Sequence, residues 1–174
     1  MPCSPTALAD VRARARAAID RAGMPRADLV WWTEDTEYLQ RRLPNAHFVL
    51  VGADGVSYGS QPPEPHKSYR DMMFAEVGPQ LDMTRTHFTG QIPYGEYLHL
   101  LQISRLHIYL TYPFVASWSL RESLAMGCAI VGSDTQPVRE FVAHGETGLL
   151  TSFFDPAKLA DAALGLIEDK DLSA

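Results

Sequence analysis

The chain has 174 residues, 46% hydrophobic and 21% charged, which is length and apolar content enough for one domain that builds its core without staples. A formal net charge of -6 argues against nucleic acid as the main partner, because phosphate neutralisation needs a clustered basic surface. Two cysteines, Cys3 and Cys128, make no disulfide framework, and no apolar run reaches the roughly 18 residues of a membrane span, so a reduced, cytoplasmic location without membrane contact is expected.

In chain order, residues 6–22 read as an Ala- and Arg-rich helix ended by Gly23 and Pro25. Residues 1–26 carry five Arg against two Asp, and Arg12, Arg14 and Arg16 are expected to form a solvated helix face. Residues 29–32 form a short apolar run, a candidate strand, and residues 33–43 a short helix stopped at Pro44. From here the pattern is regular. Residues 47–51 read as a buried strand running into a Gly-rich loop, 52–59, and a Pro-rich loop, 60–68. A helix over 69–77, a strand over 86–89 and a helix over 94–104 follow, the last with Tyr97, Leu98, Leu101 and Ile103 on one side. The spacing then predicts a strand over 107–111, a helix over 120–126 ended by Gly127, and a strand over 129–133. A helical turn over 138–143, a short strand over 148–151 and a helix over 156–168 complete the chain, the last opened by Asp155 as N-cap with Pro156 at the first helical position.

Continuously apolar strands alternating with helices mean a parallel sheet covered on both faces, so the expected fold class is α/β and Rossmann-like. Such sheets bind ligands beyond the carboxyl ends of their strands. That singles out four loops: 52–59, 89–93, 112–119 and 133–138. Residues 1–42 are expected to be a divergent, mainly helical N-terminal segment, and residues 43–174 the folded domain.

Several residues in these loops have chemistry of their own. Backbone N–H groups at a helix start near Trp118 or Leu120 are unsatisfied and carry the positive end of the helix dipole, which suits a diphosphate. Glu122 is expected in the first turn of that helix, where a carboxylate is electrostatically favoured. Ser119-Leu120-Arg121-Glu122 fits a capping box, with Glu122 reaching back to the cap; equally, an ionised carboxylate is a natural bidentate acceptor for a vicinal diol. Gly90-Gln91-Ile92 would let a planar ring approach the backbone closely, or is an ordinary βα turn. Gly52-Ala53-Asp54 reads as a turn glycine with an Asx turn, and Asp134 or Thr135 as a cap. The histidines have no metal-ligand spacing, so no metal is expected, and His47 and His107 read as satisfied structural residues. A GxGxxG fingerprint is absent, which argues against a dinucleotide-dependent epimerase or dehydrogenase.

Five segments stand in register over most of the chain: VGADGVSYG after a strand, HFTGQIPYGEYLHLLQIS, HIYLTYPF, SWSLRESLAMGCAIVGSDTQPVREFV and HGETGLLTSFFDPAKLADAA. Together they resemble the C-terminal, donor-binding domain of group 1 retaining glycosyltransferases of the GT-B fold. The resemblance implies a nucleotide-diphosphate sugar as substrate, with no cofactor and no metal. It assigns Glu122 to the ribose hydroxyls, Gly90, Gln91 and Ile92 to the base, and Phe114, Val115, Ser117, Trp118 and Ser119 to the phosphates and sugar, with Gly52 at the edge of the site. It also implies an acceptor-binding N-terminal half as partner.

Three departures bear on activity. The family motif places a glutamate eight residues before Glu122, where this chain has Phe114. The Arg and Lys that neutralise the leaving diphosphate belong near residues 29–36, which read LVWWTEDT; Arg26 is the nearest candidate. Residues 1–42 are also too few for an acceptor domain. No catalytic residue is therefore assigned, and little transfer is expected from the chain alone. The alternative is a non-catalytic nucleotide-binding or partner module, a degenerate or split glycosyltransferase half.

Overall fold

The computed structural model describes residues 35–54, 61, 64–111, 115–152 and 154–168. The expected helix over 6–22, the strand over 29–32, Arg26 and Phe114 lie outside these residues.

The first described helix, α1 (Asp35–Arg42), ends in Arg41 and Arg42, cations at the negative end of its dipole. Strand β1 (Phe48–Val51) follows, and then α2 (Tyr69–Val77), capped by Ser68, whose hydroxyl accepts from the Asp71 N–H at 3.0 Å. A 3-10 turn (Gly78–Gln80) leads to β2 (Thr86–Gly90), and Pro93 precedes α3 (Tyr94–Ile103). Strand β3 (Leu106–Tyr109), α4 (Trp118–Ala125) and β4 (Ala129–Ser133) come next, with Gly127 taking the positive φ of 76° that stops α4. Short α5 (Gln136–Arg139), β5 (Leu149–Thr151) and α6 (Pro156–Glu168) end the fold. Asp155 caps α6 by accepting from the Lys158 N–H at 3.1 Å.

Most boundaries move by one or two residues from expectation, β3 for example spanning Leu106–Tyr109 rather than 107–111. The turn placed at 138–143 begins at Gln136, because Pro137 sits in the first turn, where its missing N–H is no loss. Helix α4 begins at Trp118 rather than Leu120, and this shift changes the reading of Glu122 below.

All paired strands are parallel. β1 pairs with β2 (Phe48 opposite Thr86), β3 with β4 (Leu106 opposite Ala129), and β4 with β5 (Val131 opposite Leu149). The hydrogen-bonded orders are β1-β2 and β3-β4-β5. Among the described residues these are two separate hydrogen-bonded sheets, and no ladder joins β1 to β3.

Helices cover both faces. Alternating side chains of the strands divide between two cores, as the two-residue strand period requires. Leu106 and Ile108 of β3 and Val131 of β4 pack with Phe48, with Leu39 of α1 and with Leu159, Ala163 and Leu164 of α6. Tyr109 and Ile130 point the other way, against Leu101 of α3, Leu120 of α4 and Val138 and Val142. Phe48 and Leu39 are the largest of the fully buried side chains among the described residues; each buried aliphatic of this kind contributes roughly 1.5–3 kcal/mol.

Polar contacts tie α1 to β2. The Gln40 amide donates to Thr86 Oγ1 at 2.8 Å and accepts from the Asp82 N–H at 2.8 Å. Arg85 donates to the carbonyl of Leu43 at 2.8 Å and to the Asp82 carboxylate at 2.7 Å, closing the end of α1 over the strand.

Candidate functional site

Between the β1-β2 pair and the β3-β4-β5 sheet lies an opening bordered by α3 and α4. A cleft of about 410 Å³ occupies this place. Val49, Val51 and Gly52 of β1 form one wall, Leu106 and His107 of β3 the floor, and Gln91 and Ile92 the rim after β2. Tyr94, Tyr97, Leu100 and Leu101 of α3 face Ser119 and Glu122 of α4 across it.

Glu122 is the one carboxylate among the described lining residues, and that lining contains no lysine or arginine. Because α4 starts at Trp118 with Ser117 as N-cap, Glu122 is the fifth helical residue, beyond the first turn in which it was expected. It makes no capping box. Its Oε1 accepts instead from the Tyr94 hydroxyl at 2.9 Å, across the cleft. That bond to the carboxylate raises the Tyr94 phenol's pKa, since ionising it would lose the donor and set two anions together. Tyr97 lies one turn further along α3 with its hydroxyl buried and in no well-formed hydrogen bond; burial first, and the nearby Glu122 carboxylate second, push its pKa up to about 12.

The start of α4 is built by its neighbours. The Ser117 N–H donates to the Tyr109 hydroxyl at 2.8 Å, and the Ser117 and Ser119 hydroxyls bond each other, so no side chain caps the first turn of N–H groups. Trp118 is 74% exposed and Val115 54%, both beside the cleft sequence but outside its described lining. Arg121 lies between the Trp118 and Phe141 rings, at 5.0 and 4.9 Å from their centroids.

On the opposite rim, Gly52 and Gly90 take φ values of 149° and 65°, conformations that L side chains rarely adopt, and the Gly52 N–H donates to the Gly90 carbonyl at 3.0 Å. The two turns are thereby locked together, and the backbone of Gly90-Gln91-Ile92 stands at the edge of the opening. Of the residues singled out from sequence, Gly52, Gln91, Ile92, Ser119 and Glu122 meet in one cleft; Gly90 braces it, Ser117 caps α4, and Phe114 is not described. The loop 133–138 sits apart, in a separate groove where Arg139 binds the Asp134 carboxylate bidentately at 2.6 and 2.8 Å. Thr135 takes the cap position of α5 without a side-chain bond.

Tyr94, Tyr97 and His107 are cleft residues that sequence reasoning did not assign. Tyr97 reads as part of an apolar helix stripe and Tyr94 as a helix start; their relation to Glu122 spans 28 and 25 positions, a pairing that only the fold creates. His107 is 7% exposed with Nε2 buried and unpartnered, so the expectation of a satisfied structural histidine fails at that atom. Burial lowers its pKa to about 4, leaving it neutral near pH 7. His47 does have a partner, its Nδ1 lying 3.0 Å from His87 Nε2. No group of three or more His, Cys, Asp or Glu side chains suited to a metal ion occurs among the described residues, and no described helix is long and apolar enough to cross a membrane.

A family model, glycosyl transferases group 1, matches residues 35–174. The chain belongs to the group 1 glycosyltransferases. Its α/β architecture is that of one half, the C-terminal half, of a GT-B glycosyltransferase. It is similar to the Anabaena protein Alr3699/HepE, solved in complex with UDP-glucose, at a TM-score of 0.74 and 16% identity, over 98% of this chain and 45% of that one. Sucrose-phosphate synthase from Thermosynechococcus elongatus superposes with a TM-score of 0.66 and 22% identity, over 92% of this chain and 41% of that one. WaaG, a glycosyltransferase involved in lipopolysaccharide biosynthesis, does so with 0.68 and 13%, over 94% and 43%. The glycosyltransferase chain therefore spans less than half the length of each of these relatives. No curated protein matches it by sequence.

Proposed function

We propose that the cleft between β1 and β3 binds a nucleotide-diphosphate sugar, and that the chain is the donor half of a retaining glycosyltransferase. The observation that carries this reading is Glu122: a carboxylate lining the opening between the two sheets, bonded across it rather than capping its own helix. A carboxylate has lone pairs for both hydroxyls of a ribose while still accepting from Tyr94. The base would lie against Gly90-Gln91-Ile92, and the diphosphate at the uncapped N–H groups of Trp118 and Ser119, where the dipole of α4 favours negative charge. The complex of the similar Alr3699/HepE with UDP-glucose supports the same class of ligand.

In transfer, the acceptor hydroxyl would add to the anomeric carbon on the face that the diphosphate leaves. The departing phosphate oxygen takes the hydroxyl proton, so the configuration is retained. No metal or other cofactor is required in this scheme. With Phe at position 114, contact to the sugar would fall to the backbone of 115–119, and the acceptor would be held by a separate N-terminal half in a cytoplasmic enzyme. Little transfer is expected from this chain alone, since an unoriented acceptor forfeits the proximity contribution.

A second reading, a nucleotide-binding module without chemistry, is favoured by one observation: no Lys or Arg stands in the described lining to neutralise a leaving diphosphate. Both readings need the nucleotide. Calorimetric titration of the folded chain with UDP, GDP and ADP should show one of them binding in the micromolar range. Glu122→Ala should weaken it at least about ten-fold, the cost of lost hydrogen bonds to a charged group. Binding of none, or binding indifferent to Glu122→Ala, would refute the donor site.

A further inference from the structure

Glu122 would be a poor ligand for a diol if its carboxylate rotated freely. As the fifth residue of α4 it makes no bond to the helix's first-turn N–H groups, and no described lysine or arginine lines the cleft to hold it. Its direct hydrogen bond among the described residues comes from the Tyr94 hydroxyl, 2.9 Å from Oε1 and reached from the first residue of α3, while the Tyr97 hydroxyl stands near enough to feel the same carboxylate. Tyr94 is itself steadied. Pro93 fixes the entry into α3 with φ of -55°, and the Tyr94 ring lies 6.2 Å from that of Tyr97 at a 35° tilt. It is 60% exposed, so its hydroxyl contributes little to the core; the contact spans the cleft rather than packing the interior.

We propose that Tyr94 is the positioning residue of the nucleotide site: it holds one oxygen of Glu122 so that the carboxylate presents a fixed pair of acceptors to the ribose 2′- and 3′-hydroxyls. The inference rests on the donor-site reading and adds to it the residue that fixes the carboxylate, whose effect is read in the preference for a ribonucleotide over its deoxy analogues. The physical reason is that a hydrogen-bonding site rejects an analogue lacking the hydroxyl because a polar group is then left unpaired, and it does so only as far as that group is held in place. Tyr94 touches the carboxylate and not the reacting atoms.

The test uses the full chain with UDP, GDP and ADP and the 2′,3′-dideoxy form of whichever binds. Wild type should prefer the ribonucleotide by at least about ten-fold. Tyr94→Phe, which keeps the ring, should weaken the ribonucleotide about five- to twenty-fold and leave the dideoxy form within about two-fold, so the preference shrinks. A loss of general structure would weaken both alike. In the Glu122→Gln background the same change should have little further effect, as it acts through that carboxylate. Equal or tighter ribonucleotide binding by Tyr94→Phe overturns the inference, the tighter case making Tyr94 a competitor of the ligand. So do equal losses for both nucleotide forms. If wild type binds no nucleotide, the donor-site reading itself has failed, and this inference with it.

Discussion

At the scale of single residues, two side chains owe their ionisation to opposite causes, and each makes stability depend on pH. The Asp82 carboxylate accepts from the Thr84 hydroxyl, from Arg85 and from the Thr84 N–H, in that order of effect, which lowers its pKa to about 2. The ionised form is favoured by folding, so its contribution is complete above the unfolded value of 3.8 and is lost as pH falls toward 2. Melting curves of wild type and Asp82→Asn should therefore differ by a constant amount at pH 5–8 and converge on acidification toward pH 2. His107 works the other way. Burial lowers it from 6.5 to about 4, so between these values the unfolded chain binds a proton that the folded chain refuses, and stability rises with pH. Relative to His107→Leu, wild type should lose on the order of 3 kcal/mol between pH 7 and 4, measured by urea denaturation at each pH. A pH-independent difference would mean that the ring is hydrated in the folded state.

At the scale of elements, close approach of backbone is the sharpest constraint. A Cβ on Gly148, just before β5, would stand 2.8 Å from the Ile130 carbonyl and 2.9 Å from Val142. The first contact is to backbone and cannot be relieved by a side-chain rotation. Gly148→Ala should cost about 1–3 kcal/mol, read from the shift in denaturation midpoint, with the β4–β5 pairing losing hydrogen-exchange protection first. Element existence was legible wherever local chemistry marked it. Helices α2 and α6 start where Ser68 and Asp155 cap them, and β4 matches its apolar run residue for residue. Caps without a side-chain bond were less legible. Helix α4 starts two residues early on Ser117, and a plausible capping box at 119–122 disappears with that shift.

At the scale of the whole molecule, the order of elements in the sequence was enough to give a parallel sheet and the loops at its carboxyl end. Which loops meet is a property of strand order, and strand order is invisible in a single chain. The packing of the β1-β2 pair beside the β3-β4-β5 sheet brings Gly52, Gln91, Ile92, Ser119 and Glu122 together and leaves the loop at Asp134 to its own ion pair with Arg139. The same packing sets Tyr94 against Glu122. What remained unread in the sequence is thus the tertiary part of the site, while its carboxylate and its glycine turns could be found from residue type and position.

The central claim concerns a place, and a crystal structure of the chain soaked with the nucleoside diphosphate that titrates tests it most directly. The account predicts density in the cleft, with both ribose hydroxyls within about 3 Å of the Glu122 carboxylate, the base against Gly90-Gln91-Ile92 and the β-phosphate at the first turn of α4. Nucleotide density elsewhere, as in the groove at Asp134 and Arg139, with Glu122 still bonded only to Tyr94, would contradict it.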